Sequence, residues 1–442
     1  MSFPRYPKYK ASGVEWLGNV PVHWSLKPIW TFFRRVKRVG FDNEQLLSVY
    51  RDYGVIPKAS RDDNFNKPSE DLSVYQLVIV GDLAVNKMKA WQGSLAISEY
   101  RGIVSPAYFV YEALHSENGR YLHYLMRSVR YIAGYLSVSK GVRVNQWDMD
   151  PQFHSRMPLL VPPLSEQTAI AEFLDRETAK IDGLVAEQKR LMELLKEKRQ
   201  AVISHAVTKG LNPHAKMKPS GIEWLGDVPE GWGFKPLKHL GSIISGFAFK
   251  STDFKPQGVR VLKIANIQTR VIDWSDDSYL PDDFYDKHIQ FAVKDGDVVF
   301  ALTRPIISTG LKAAIANIGS DRVLLNQRNA IFRPSEWLNK KFLYYILFCD
   351  SFKSDFLNRI DFTGLQPNIS PVDISNIKVL FPSTDDQAAI AKFLDFETAE
   401  FDTLTAEAQC AIDLLQERRT ALISAAVTGQ IDVRNQPSKG KP

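Results

Sequence analysis

Two stretches of the chain place apolar residues at steps near three, four and seven. The first runs through Ile170, Leu174, Ile181, Leu184, Leu191, Leu195 and Val202, the second through Ile390, Leu394, Phe401, Leu404, Leu415 and Leu422. This is the spacing of a long helix with one apolar stripe, a heptad seam. Gly183 is the only glycine or proline to interrupt either stretch, so each helix can run ~40 residues, or roughly 60 Å. Pro162-Pro163 and Pro382 close whatever precedes, Ser165 suits an N-cap, and Glu166 adds negative charge to the first turn. A long single-striped helix needs a partner. The other copy would serve, paired antiparallel about a pseudo-twofold axis; the alternative is that each helix packs only on its own domain.

Elsewhere short apolar runs alternate with turn signals. Runs at 77–80, 83–85, 94–97 and 103–111, then at 259–264, 298–302, 312–316 and 330–333, read as strands of a mixed sheet. Segments 120–136 and 339–357 have helical periodicity. The fold class expected is α/β: two globular domains and two long antiparallel helices in a pseudo-twofold tandem repeat.

The repeat is explicit in the letters. SGVEWLGNVP at 12–21 returns as SGIEWLGDVP at 220–229, each followed by a tryptophan (Trp24, Trp232) and a Lys-Pro pair. Block 161–208 returns as 381–428, sharing Gln167/Gln387, an Ile-Ala pair, a Phe-Leu-Asp triplet, Glu-Thr-Ala and Ser204/Ser424. Regions 29–160 and 237–380 diverge, with a faint echo at Gly81-Asp82 and Gly296-Asp297. A kept frame with changed inserts implies two tandem units. The boundaries expected are 1–160 for the first domain, 161–210 for the first helix, 211–380 for the second domain, 381–430 for the second helix, and 431–442 for a flexible polar tail.

Composition narrows the class. The 442 residues are 44% hydrophobic and 24% charged, ordinary for a globular protein. A net charge of +6 and a pI near 9.0 permit a polyanionic partner. Two distant cysteines, Cys349 and Cys410, form neither a disulfide framework nor a zinc site, and the N-terminus has no signal-peptide core. A cytoplasmic protein without a membrane segment is expected. No phosphate-binding loop, no Asn/Asp-Pro-Pro-aromatic tetrapeptide and no HExxH is present. Glu187-Gln188-Lys189 has an ExK form but falls on the polar side of a heptad helix. No catalytic residue, metal ligand or cofactor-binding residue is assigned.

Basic, amide and aromatic residues gather between the strands. The first region offers Lys58, Arg61, Lys87, Lys89, Trp91, Lys140, Arg143, Asn145 and Gln146; the second offers Lys263, Asn266, Gln268, Arg270, Arg304, Gln327, Arg328, Gln366 and Asn368. Arg and Lys suit phosphates and guanine edges, Asn and Gln suit adenine. Residues 142–146 and 364–368 hold the same place ahead of each long helix. The bland reading, that loops are polar anyway, stands beside this one.

The two Glu-Trp-Leu-Gly stretches, with VPPLSEQTAI at 161–170 opening a long helix, resemble the specificity subunits of type I restriction–modification enzymes. The partner stretch 381–390 departs, with Ser383 and Asp386 where the first copy has Pro163 and Glu166. The resemblance implies a non-catalytic DNA-recognition chain. Two target-recognition domains each read half of a bipartite, asymmetric double-stranded DNA site, and the helices set the gap. It also implies two methyltransferase subunits using S-adenosylmethionine on adenines, and motor-nuclease subunits using ATP and Mg²⁺. Two other readings stay open here: a coiled-coil scaffold that never touches DNA, and a fused methyltransferase or nuclease. The repeated ten-residue stretch, being kept in both copies, is assigned to the frame, with Trp16 and Trp224 expected against the helical rod or a methyltransferase subunit.

Overall fold

The computed structural model describes residues 3–51, 53–61, 68–143, 146–222 and 225–435, and leaves aside the side chains of 140–143, 146 and 148. The chain forms two compact units, Met1–Lys189 with Gln409–Pro442, and Arg190–Ala408. Each long helix therefore gives one half to each unit. The helices span Leu164–Lys209 and Thr384–Val427, 46 and 44 residues.

Both units carry the same sheet. In the first, antiparallel strands run in the order Phe33–Val36, Tyr108–Ala113, Leu83–Asn86, Leu95–Ile97. In the second the order is Gly241–Ser245, Asn329–Pro334, Val298–Ala301, Ala313–Ile315. The expected mixed sheet divides: these four-stranded sheets are antiparallel, while Val259–Leu262 lies in a separate three-stranded sheet of the second unit that is mixed, parallel to Val323–Leu325 and antiparallel to Tyr279–Leu280. The 103–111 run is two strands, Gly102–Val104 and Tyr108–Ala113, parted around Pro106, which cannot donate to a ladder. Each predicted short helix is also two: Gly119–Met126 and Val129–Ser137, then Lys340–Leu347 and Asp350–Asn358. The break at Ser128 is an extended residue whose hydroxyl returns to the Leu125 carbonyl. The Gly-Asp echo is a shared turn. Gly81 and Gly296 have φ of 93° and 83°. The buried Asp82 and Asp297 carboxylates accept the N–H of Ile79 and Lys294 and pair with Arg38 and Arg333.

The duplicated block docks each long helix by one scheme. Gln167, fully buried, accepts the Asn118 N–H at 3.0 Å and donates to the Pro162 carbonyl at 2.9 Å. Gln387, also fully buried, accepts the Asn339 N–H at 2.9 Å and donates to the Pro382 carbonyl at 3.1 Å. Asn118 and Asn339 in turn cap the short helices beside them. Two turns on, the Tyr124 hydroxyl reaches Asp175 and Thr178, and the Tyr345 hydroxyl reaches Asp395 and Thr398.

Within each unit the helices run antiparallel. In the first, the Tyr9 hydroxyl donates to the Gly429 carbonyl and the Tyr6 hydroxyl to Glu166, while Arg419 pairs with Asp182 further along. In the second, the equivalent ion pair is Arg199–Asp402. Ile170, Leu174, Ile181, Leu195, Ile390, Leu394, Phe401 and Leu422 are buried as the seam predicts. Leu184, Leu191 and Leu404 are exposed instead, and Ile203, Ala408 and Ile412 are buried. A straight helix drifts ~20° per heptad, so a strict seven-step count leaves the buried stripe.

The repeated ten-residue stretch forms a closed hairpin. Tyr9–Ala11 pairs with Asn19–Pro21, and Met217–Pro219 with Asp227–Pro229. Ser12 and Ser220 each accept the N–H two residues on. Of the two surfaces expected for Trp16, the helical rod gives way to its own domain. Its ring meets Tyr131 edge-on at 5.0 Å, and Gly134 is needed beneath it, since a Cβ there would stand 2.8 Å from the indole. Trp16 thus rests on its own domain, while Trp24 touches the helix by donating to Glu166 at 2.9 Å; Trp224 lies outside the described residues. The tail is corrected too. Val433 is buried, the Asp432 N–H donates to the Pro4 carbonyl, and Arg434 lies over Tyr6, so the chain is packed as far as Arg434.

His154 is fully buried between Tyr111 and Tyr135, and neither ring nitrogen meets a partner among the described residues. Burial pushes its pKa down to about 4. Burial, with Arg127 adding to it, takes His123 down to about 3. Both are neutral in the fold, whereas an unfolded histidine protonates near pH 6.5. Stability from this source is complete above pH 6.5 and falls as pH drops toward 4, by up to ~1.4 kcal/mol per pH unit per histidine. Thermal unfolding from pH 7.5 to 5 should show a falling midpoint, and His154→Phe should flatten that slope.

Candidate nucleic-acid interface

The first unit brings two loops together. The Met149 N–H donates to the Lys87 carbonyl at 3.1 Å, tying the hairpin Ser139–Arg143/Gln146–Met149 to the loop after Leu83–Asn86. Trp91 and Trp147 stack at 5.6 Å with planes 29° apart, and the Trp91 indole N–H donates to the Met88 carbonyl. Gly93, at φ 89°, closes the loop where a Cβ would meet Ile132 at 2.8 Å. Lys89 is exposed and Lys87 half-buried beside this ring pair. Lys140, Arg143 and Gln146 are hairpin strand residues, Arg143 opposite Gln146, and Asn145 lies outside the described residues. Lys58 and Arg61 belong to the segment after Gly54–Pro57, where the Arg61 guanidinium lies 4.3 Å over Tyr53.

The second unit gathers more. Segment 302–304 is a junction: the Leu302 N–H donates to the Arg328 carbonyl, the Arg304 N–H to Pro367, and the Ile369 N–H to Leu302. Arg304, Gln327, Arg328, Gln366 and Asn368 are thereby neighbours, drawn from three loops. All are exposed but Gln366, which is half-buried. The turn holding Gln268 and Arg270 joins the same side, since Thr269 and Thr309 share a hydroxyl bond of 2.9 Å and the Arg270 N–H donates to Ala313. Arg270 and Arg304 have φ of 70° and 47°, the non-glycine residues found left-handed. Such backbone costs ~1–3 kcal/mol, and it persists where surroundings over-determine it. Arg270 also packs 4.8 Å over Phe348, and burial draws its pKa below the usual guanidinium value.

Two candidates leave the surface. Asn266 is buried, with its carbonyl accepting the Lys263 N–H and its amide donating to Asp273 and Asp276. Its polar atoms are consumed by a turn, and none is left for a base edge. Lys263 is largely covered and bonds Asp276 at 2.9 Å. Two apolar residues were missed. Phe362 and Leu365 are 66% and 106% exposed on the loop that carries Gln366. The signal was available: 361–365 sets two apolar residues around Thr363-Gly364 with no periodic partner. An exposed apolar tip of this kind marks a contact surface. Among the described residues there is no cluster of three metal-ligating side chains, and no helix is long and apolar enough to cross a membrane.

The family described as type I restriction modification DNA specificity domain matches residues 229–409. The chain is 31% identical over 315 residues to the type I restriction enzyme MjaVIII specificity subunit of Methanocaldococcus jannaschii, covering 71% of each protein. This chain belongs to the specificity subunits of type I restriction enzymes. The EcoKI specificity subunit of Escherichia coli K12 is 21% identical over 441 residues, covering 94% of this chain and 90% of that one. A chain solved in work on complex assembly and conformational transition of the type I R-M system superposes with a TM-score of 0.68 at 16% identity, covering 92% of this chain and 98% of its own. The HsdS subunit of Thermoanaerobacter tengcongensis gives 0.52 at 16% identity, covering 93% and 98%. The fold is that of these proteins. As a type I specificity subunit the chain serves DNA recognition within a restriction–modification complex and is not its catalytic chain; the DNA-free scaffold and fused-enzyme readings find no support.

Burial separates two variants. Asn266→Ala should cost ~1–3 kcal/mol, because it leaves turn donors and acceptors unmet. Arg328→Ala should leave the unfolding midpoint nearly unchanged. It should weaken DNA binding by the assembled complex and lower the salt slope of log K by ~1 if the arginine meets a phosphate.

Proposed function

We propose that each unit of this specificity subunit reads one half of a bipartite, asymmetric DNA site, and that the paired helices set the gap between the halves. One observation carries this reading: a shared frame, with one sheet order and one glutamine dock for each helix, presents two unlike loop clusters. The first offers Lys87, Lys89, Trp91 and the 139–149 hairpin; the second offers Arg304, Gln327, Arg328, Gln366 and Asn368. Arginine and lysine reach guanine and phosphate, amides reach adenine, and stacked indoles give a rigid platform. Two joined readers raise the effective concentration of the second contact. Helices of 46 and 44 residues are ~66–69 Å long, enough to hold two half-sites about a helical turn apart. In this reading two methyltransferase subunits dock on the chain, bring S-adenosylmethionine and flip the target adenines. Motor-nuclease subunits bring ATP and Mg²⁺, and the complex works in the cytoplasm.

Replacing residues 237–380 with the corresponding region of another specificity subunit should alter one half of the methylated sequence and leave the other half and the gap intact. Methylome sequencing of cells carrying the complex reads this directly; a change in both halves would end the modular reading. Adding one heptad to each helix, in 167–207 and 387–427, keeps the seam in phase and lengthens the rod by ~10 Å. The unmethylated gap should then grow by about three base pairs at 3.4 Å each, with both half-sites unchanged.

A further inference from the structure

The two units differ at one place where their frames should match. In the first, Glu166 is buried at the start of its long helix and fully engaged. It accepts from the Trp24 indole at 2.9 Å and the Tyr6 hydroxyl at 3.1 Å, bonds His23 at 2.7 Å, and has the Arg434 guanidinium 3.7 Å away. Tyr6 meets Trp24 edge-on at 5.6 Å, Arg434 lies 4.9 Å over the Tyr6 ring, and Val433 fills in behind. The plug is thus an aromatic ring, an apolar side chain and a guanidinium.

The second unit has the same socket without the plug. Asp386 takes the place of Glu166, and Trp232 that of Trp24. Asp386 is exposed and, among the described residues, bonded only to Ser383 of its own turn. Trp232 is buried to 6% exposure, yet its indole N–H meets no acceptor among the described residues. Between them opens a cleft of about 530 Å³, floored by Trp232 and Ile390 and edged by Asp386, Glu230 and Ala389. The residue aligned with Tyr6 by the repeat is His214, which is exposed and does not line the cleft. Two lysines also line it. Lys209 is held by the carbonyls of Leu225 and Asp227. The two lysines and the two acids balance in number, but among the described residues neither lysine forms an ion pair with Asp386.

We propose that this cleft binds a polypeptide segment from another protein, presenting an aromatic side chain beside an arginine or lysine. The ring would meet Trp232 edge-on, as Tyr6 meets Trp24, and the cation would meet Asp386 and Glu230. An acceptor on the segment would take the Trp232 indole N–H. Because the first unit fills the equivalent space with its own chain, there is one such site per subunit, and a partner using it binds asymmetrically.

The probe is a fluorescein-labelled peptide FPRYPKYK, the chain's own 3–10 segment, titrated against the full-length subunit by fluorescence anisotropy. Saturable one-to-one binding is expected. Asp386→Lys should weaken it at least tenfold, and Ala389→Trp, which fills the cleft, should abolish it. Alanine in place of the peptide's first tyrosine, the counterpart of Tyr6, should weaken it at least tenfold. Asp413→Lys, on the exposed side of the second long helix, should leave it unchanged, and circular dichroism establishes that each variant is folded. Absence of saturable binding overturns the proposal. So does binding that survives both Asp386→Lys and Ala389→Trp, or displacement of the peptide by inorganic phosphate or by duplex DNA, either of which would make the cleft an anion site.

Discussion

A buried glutamine amide at the start of each long helix holds that helix to the domain beside it. Gln167 and Gln387 are fully buried, and each satisfies its carbonyl with the N–H of an asparagine cap and its amide with a proline carbonyl. A buried primary amide left unmet would cost ~1–3 kcal/mol, so the helix has one seating. That seating brings the tyrosine–aspartate–threonine contact into register two turns later. It also leaves the outer half of each helix free to lie against the other.

This constraint explains the division between kept and changed residues. Everything that docks the helix is duplicated: the glutamine, the Phe-Leu-Asp triplet, the threonine, and the leading hairpin with the tryptophan that follows it. The loops that converge on 302–304, or on the Trp91–Trp147 stack, take no part in docking. They can vary without loosening the frame, as separate recognition of two half-sites requires. The one departure within the frame, Glu166 against Asp386, coincides with an open cleft. A carboxylate one methylene shorter, with no tail beside it, leaves its tryptophan unpartnered among the described residues.

Much of the candidate interface was legible as residue types in loops. Arg304, Arg328, Gln366 and Asn368 were named from composition and place, and they do share one junction. Asn266 was indistinguishable from them by letter, because the same amide that suits adenine also suits a turn; burial decides which, and burial is a long-range property. Leu365 and Phe362 escaped for the opposite reason. Apolar residues are expected inside, and only the exposed loop reveals them as surface.

The sequence by itself determined the tandem frame, the two long helices, most strands and the family, because those rest on local periodicity and on repeated letters. Tertiary structure decided the antiparallel sheets, the division of each helix between two units, which heptad positions are buried, and the packing of the tail beside Tyr6. The reason is physical. Periodicity states that a face must be covered, but the covering partner lies hundreds of residues away, and the choice depends on geometry that no local pattern carries.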